Sequence, residues 1–137
     1  MILNWKAVFI GFIVTVVLYT AGASLGHISI LKGILYLLAP IIGGFLVVYI
    51  NNVNYRDNII NGVISTGLAG FTAAFIITGL IEPIFVSGGY LEMLIIIVVI
   101  HAVMAFVIGA ALGLIGIIVG ILVKGQGFKN GDLNWLD

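Results

Sequence analysis

The chain has 137 residues, 63% of them hydrophobic and 7% charged, with five basic and five acidic side chains and no net charge. So few charges cannot cover a soluble core of this composition, and a mean hydropathy of +1.36 points to a polytopic membrane protein, a single membrane domain over 1–137. The neutral balance offers no electrostatic footprint for nucleic acid, and the absence of cysteine removes disulfides, thiolate chemistry and iron–sulfur ligation.

Four apolar blocks predict an all-α, four-helix membrane bundle, with crossings at about 7–25, 33–50, 59–81 and 91–123 and a polar tail at 124–137. A helix needs about 20 residues to cross a hydrocarbon core about 30 Å thick. The first three blocks fit one crossing each.

The first block closes on "GASLG" (22–26), followed by His27. This matches the G-x-S-x-G pattern of serine hydrolases, but that motif acts only on a strand–turn–helix elbow with an acid orienting the histidine. At the end of a membrane helix, Ser24 with Gly22 and Gly26 reads as a helix-end turn. Pairing Ser24 with His101 would imitate an intramembrane protease on two lone residues, and hydrolysis is not expected. Lys6, the apolar run 7–19 and "AGA" (21–23) also imitate a signal peptide, which is expected to be retained as the first crossing.

In the second block, "APIIGG" (39–44) places Pro40 before Gly43 and Gly44. Proline lacks the N–H that would bond the Tyr36 carbonyl, so a kink near the bilayer centre is expected. Broken helices line transporter sites, but no strongly polar side chain accompanies this one, and a packing bend is the favoured reading.

The third block carries a stripe of small residues at Gly62, Thr66, Ala69 and Ala73. Its "GVIST" (62–66) matches "GFIVT" (11–15) at Gly, Ile and Thr. This hints at two related hairpins, 1–50 and 51–123, in parallel orientation.

The fourth block would reach roughly 50 Å if straight, too long for one perpendicular crossing. Its outer part, "YLEMLIIIVVI" (90–100), has Glu92 as its one charge and no polar face on which to lie along an interface. Neither half is long enough to cross alone. One long helix, tilted or bent at its glycines, is therefore expected, its outer end covered by "IFVSGG" (84–89) or another subunit. At about 100° per residue, Ala102, Ala105, Gly109, Gly113, Gly116 and Gly120 fall within roughly 40° of one line. Lipid supplies no hydrophobic drive for helices to associate, so small residues that let backbones approach supply the contact. Glycine-rich packing, rather than a pore lining, is the expected role of these positions.

His101 is the one ionisable side chain well inside a block, roughly 35 Å along the helix from Lys124 and about 80° off the glycine line. That depth is the outer leaflet. A neutral imidazole bonded to a neighbouring helix or outer loop, near Glu82 or Glu92, is the favoured account, with a polar site at His101, Glu82 and Glu92 as the functional one. His27, His101, Glu82 and Glu92 suffice in number for a metal but lack ligand spacing, so no metal or cofactor is expected. Within the first three blocks the only carboxylate is Glu82, at the very end, which disfavours ion-coupled transport.

With four crossings, Lys6, Arg56, Lys124 and Lys129 share one side and Lys32 stands alone on the other, so both termini are expected in the cytoplasm. Trp5, Tyr49, Tyr55 and Trp135 lie near the inner interface, and Tyr19, Tyr36 and Tyr90 towards the outer.

The stretches "NWKAVFIGFIV" (4–14), "LAPIIGGFLVVYI" (38–50) and "YRDNIINGVISTGLAG" (55–70) resemble a family of small archaeal membrane proteins of unknown function. Its members share the Trp-Lys-Ala start, the Pro-x-x-Gly-Gly second helix and a glycine-rich third helix entered through an Asp-containing loop. The resemblance implies an archaeal cell membrane and four helices. It brings no functional residue, because the family has no established activity. Small multidrug transporters match less well, since the first block lacks their carboxylate, and dual-topology fluoride channels need balanced loop charges. The expectation is a non-enzymatic membrane protein that assembles with itself, as a homo-oligomer, or with another membrane protein. The rival is a small channel or permease with an outer vestibule near His101.

Overall fold

Two asparagines set where the odd-numbered helices begin. In a computed structural model that describes residues 3–25, 29–51, 53–81 and 91–124, Asn4 caps α1 (Trp5–Ser24) by accepting the Ala7 N–H at 3.3 Å. Asn54 caps α3 (Tyr55–Ile76) in the same way, accepting the Asp57 N–H at 3.0 Å. A capping side chain satisfies a helix-end donor that lacks an intrahelical partner. Both helices therefore begin earlier than the apolar runs that mark them, at Trp5 rather than Ala7 and at Tyr55 rather than Ile59. Similarly, α2 (Ser29–Ile50) starts ahead of Gly33. Hydropathy marks the hydrocarbon core, whereas a helix continues through the interface until a cap ends it.

The third helix passes into a π-helical turn, Ile77–Ile81, and α4 runs unbroken over Leu91–Val123, 33 residues or about 50 Å. Pro40 sits within an α2 that is one helix on both sides of it. All four helices are long and apolar enough to cross a membrane, and the described residues contain no strand. The stretch 84–89 and the tail from 125, with Lys129 and Trp135, lie outside the described residues.

Sequence neighbours pack antiparallel, and the two hairpins lie side by side in the same sense. Asn4 meets Asn61 and Val8 meets Ser65 along α1 and α3, while Ile41 meets Gly116 and Val48 meets Gly120 along α2 and α4. The most extensive interface joins α3 to α4; α2 and α3 each pack against all the others, and α1 shares no substantial interface with α4. The outside is apolar, with Phe9, Val17, Ile34, Phe75, Ile96, Val103 and Leu122 exposed. The inside is small and partly polar, with Thr15, Ser65, Thr66, Ala69, Ala73 and Ala102 buried. This inverts the usual water-soluble pattern and suits a solvent as apolar as the side chains facing it.

The two hairpins repeat one local unit. In the first, the Thr15 hydroxyl donates to the Gly11 carbonyl at 2.8 Å, and Thr15 rests on Gly43, where an added Cβ would overlap its Oγ1. In the second, the Thr66 hydroxyl donates to the Gly62 carbonyl at 2.9 Å, and Thr66 rests on Gly113 with the same overlap. The Gly and Thr shared by "GFIVT" and "GVIST" are the ones that make this unit. Between the hairpins, a Cβ on Gly44 would strike the backbone of Gly113, and one on Gly116 the Ile41 carbonyl. Ile117, fully buried, lies across Gly62.

Candidate functional site

At the end of the bundle where α1 and α3 begin and α2 and α4 finish, asparagines join the helices. The Asn4 amide donates to the Asn51 side-chain oxygen at 2.9 Å, and the Asn4 backbone N–H to Asn61 Oδ1 at 3.0 Å. Asn61 Nδ2 donates to the Asp57 carbonyl at 2.7 Å. The Lys124 ammonium, just past the end of α4, donates to the carbonyls of Val48, Tyr49 and Asn51 at 3.1, 3.2 and 2.6 Å. A helix leaves its last carbonyls without intrahelical donors, and their dipoles favour a cation. Lys124 thus closes α2 from the other hairpin.

Asp57 corrects one sequence expectation. Hydropathy places it in a loop before the third crossing, yet it occupies the first turn of α3 with 2% of its surface exposed. A carboxylate therefore lies within a helix before Glu82, in the first turn of α3 rather than in its middle. Its position suits the positive end of the α3 dipole.

The opposite half of the bundle holds a cavity of about 510 Å³. Tyr19 contributes from α1, Lys32 and Tyr36 from α2, Thr78 from the π-helical turn and His101 from α4. The Lys32 ammonium lies 5.5 Å from the Tyr36 ring centroid, a cation–π distance, and Tyr19 meets Tyr36 edge-on at 5.5 Å. Below this rim the walls are apolar, with Ile100, Met104 and Ile108 of α4 facing Ala74 and Ile77. The cavity exists because α2 contacts α4 near Ile41–Val48, whereas further out Tyr36 and Leu35 turn to Gly22 of α1. Gly70, where it meets Ala105 and Gly109, also belongs to this side of α3, and Gly70 and Ala105 line the cavity.

His101 is exposed, and its Nδ1 lies 2.9 Å from the Ile97 carbonyl of its own helix. This contact lies within its own helix, since a ring nitrogen in a helix reaches the preceding turn; the outer loop, the other partner expected for it, lies outside the described residues. A carbonyl only accepts, so Nδ1 carries the proton and Nε2 is the nitrogen left for other contacts. Ser24 donates to the Ala21 carbonyl at 2.8 Å, likewise within its own helix. Glu82 and His27 lie outside the described residues, as does the side chain of Glu92, so the proposed grouping around His101 is described for His101 alone. Among the described residues no three metal-ligating side chains converge.

Gly62, Thr66, Ala69 and Ala73 are all buried on α3, as are Gly109, Gly113, Gly116 and Gly120 on α4 and Pro40, Gly43 and Gly44 on α2. What sequence reasoning missed is the joint position of Tyr19, Lys32, Tyr36 and Thr78. Lys32 and Tyr36 are one helical turn apart, a spacing that signals a shared face, but their approach to His101 depends on contacts between hairpins.

A family model described as "Family of unknown function (DUF5518)" matches residues 5–123. No curated protein and no solved structure matches the chain.

Proposed function

We propose, from the premise that the chain belongs to the family of unknown function DUF5518, that it is a non-enzymatic multi-pass protein of an archaeal cell membrane, built as a glycine-packed bundle that assembles with itself or with another membrane protein. Both termini face the cytoplasm in this reading, which rests on the Lys and Arg distribution. The observation that carries it is the layer of Thr15 on Gly43 and Thr66 on Gly113, joined through Gly44. Side chains and backbone fill the middle of the bundle there, and the hydroxyls in that layer are bonded to backbone carbonyls. Such a layer supports packing and leaves no polar lining for a solute. The tilt of α4 and a bend at Pro40 belong to the same proposal, as ways to fit a long helix and bring α2 against both neighbours.

The rival channel reading draws on the outer cavity beside His101, and one experiment separates the two. The chain has no cysteine, so Thr15→Cys and Thr66→Cys each introduce a single thiol. Both are expected to resist a polar maleimide in the folded protein, while Lys32→Cys reacts. Rapid labelling of Thr15→Cys and Thr66→Cys in folded protein would establish a water path and overturn the packing reading. Native mass in mild detergent tests assembly; a strict monomer at all concentrations, with no co-purifying membrane protein, refutes it.

A further inference from the structure

We infer that the outer cavity is a binding site for one anionic membrane lipid with a phosphate headgroup. The headgroup sits at Lys32, Tyr19 and Tyr36, and one hydrocarbon chain of the lipid lies along Ile100, Met104 and Ile108.

The volume of about 510 Å³ is that of a small-molecule pocket. Its polar groups collect at one end. Lys32 lies near the start of α2 and Tyr19 near the end of α1, which is the headgroup level of the outer interface, where Lys and Tyr place their polar tips. Lys32 is the one cation among the described lining residues, which include no carboxylate, so the rim favours an anion. A phosphate can accept from the ammonium while hydroxyl donors of the rim share its remaining oxygens.

The rest of the lining is apolar and directional. Ile100, Met104 and Ile108 recur every four residues on α4, a stripe about 12 Å long that runs inward from the rim. All three are exposed, so this wall is open to lipid. A water-soluble anion would meet the rim but gain nothing from the stripe. A neutral lipid would fill the stripe and leave Lys32 without a counter-charge. Gly70 and Ala105, packed on each other, belong to the same lining, so a chain entering from the membrane past the exposed stripe lies against the α3–α4 contact. Tyr and Lys at membrane interfaces also occur merely as anchors. An anchor requires no saturable stoichiometry, and that difference is measurable.

The test uses the full chain in a neutral detergent, with native mass spectrometry and thermal denaturation as readouts. Dioleoylphosphatidylglycerol is expected to add one molecule per chain saturably, raise the melting temperature and bind more tightly than dioleoylphosphatidylcholine. Lys32→Ala should weaken phosphatidylglycerol binding roughly tenfold and abolish the preference over phosphatidylcholine. Met104→Trp places a large ring on the exposed wall and should lose the adduct with an unchanged melting temperature in lipid-free detergent. Equal binding of the two lipids to the unaltered chain, or an adduct number that rises without saturation, would reduce Lys32 and the tyrosines to anchors. Inorganic phosphate that protects as well as phosphatidylglycerol would overturn the acyl-chain part. Retained binding in Met104→Trp, with Lys32→Ala also unaffected, would move the lipid elsewhere. None of these readouts depends on oligomeric state, so the assembly proposal is tested separately.

Discussion

At Gly116, a single methyl group would meet the carbonyl and Cα of Ile41; at Gly113 it would meet three atoms of the Thr66 side chain. Neither obstacle is the free end of a flexible chain. Gly113→Leu and Gly116→Leu should therefore each destabilise the protein by about 3 kcal/mol or more, read as a fall in melting temperature and loss of the native particle. His101→Ala removes one hydrogen bond within a helix at an exposed position, and membrane hydrogen bonds average about 0.6 kcal/mol. Its melting temperature should stay near that of the parent. Collapse of His101→Ala beside folded glycine variants would reverse the ranking and make the histidine the structural centre. A larger effect is expected at Lys124, whose ammonium meets three carbonyls. Lys124→Met keeps the stem and leaves those carbonyls to water, a loss of about 1–3 kcal/mol; a melting temperature equal to the parent's would show that water replaces the amine without cost.

At the scale of elements, the repeated Gly–Thr unit makes a coupled prediction. A Cβ on Gly43 would collide with the Thr15 hydroxyl, whereas the Gly11 carbonyl oxygen and the Thr15 Cβ stay 3.0 and 3.3 Å away, tight contacts that a small shift relieves. Gly43→Ala alone should be destabilising, and Thr15→Ala should recover a large part of the loss, a coupling that a double-mutant cycle in detergent measures. Additive effects would mean that the two helices separate rather than collide. Sequence reasoning goes far at this scale: block lengths locate four helices, and the shared letters of 11–15 and 62–66 mark the residues of the repeated unit. It fails where polarity and helicity part. "NNVNYRD" (51–57) looks like a loop because it is polar, but Asn54 caps a helix that takes Asp57 into its first turn. A vestibule near His101 is among the sequence expectations, but the makeup of the cavity's rim escapes for another reason. Tyr19, Lys32 and Thr78 belong to three segments, and only the departure of α2 from α4 towards α1 brings them to His101, a three-dimensional fact with no periodicity to betray it.

For the whole molecule, the four-to-one distribution of Lys and Arg gives a sharp expectation. A reporter fused after Asp137 should read cytoplasmic, and one inserted at Gly88 external; reversal of both would mean that short-loop charge does not orient this bundle. The contacts made by Lys124 carry a further consequence, in time rather than space. The chain emerges from its N-terminus, so the first hairpin is made before residue 124. Until Lys124 arrives, the carbonyls of Val48, Tyr49 and Asn51 lack the amine that closes them. The tie that joins the end of α2 to the end of α4 is therefore the last of these contacts that synthesis can supply.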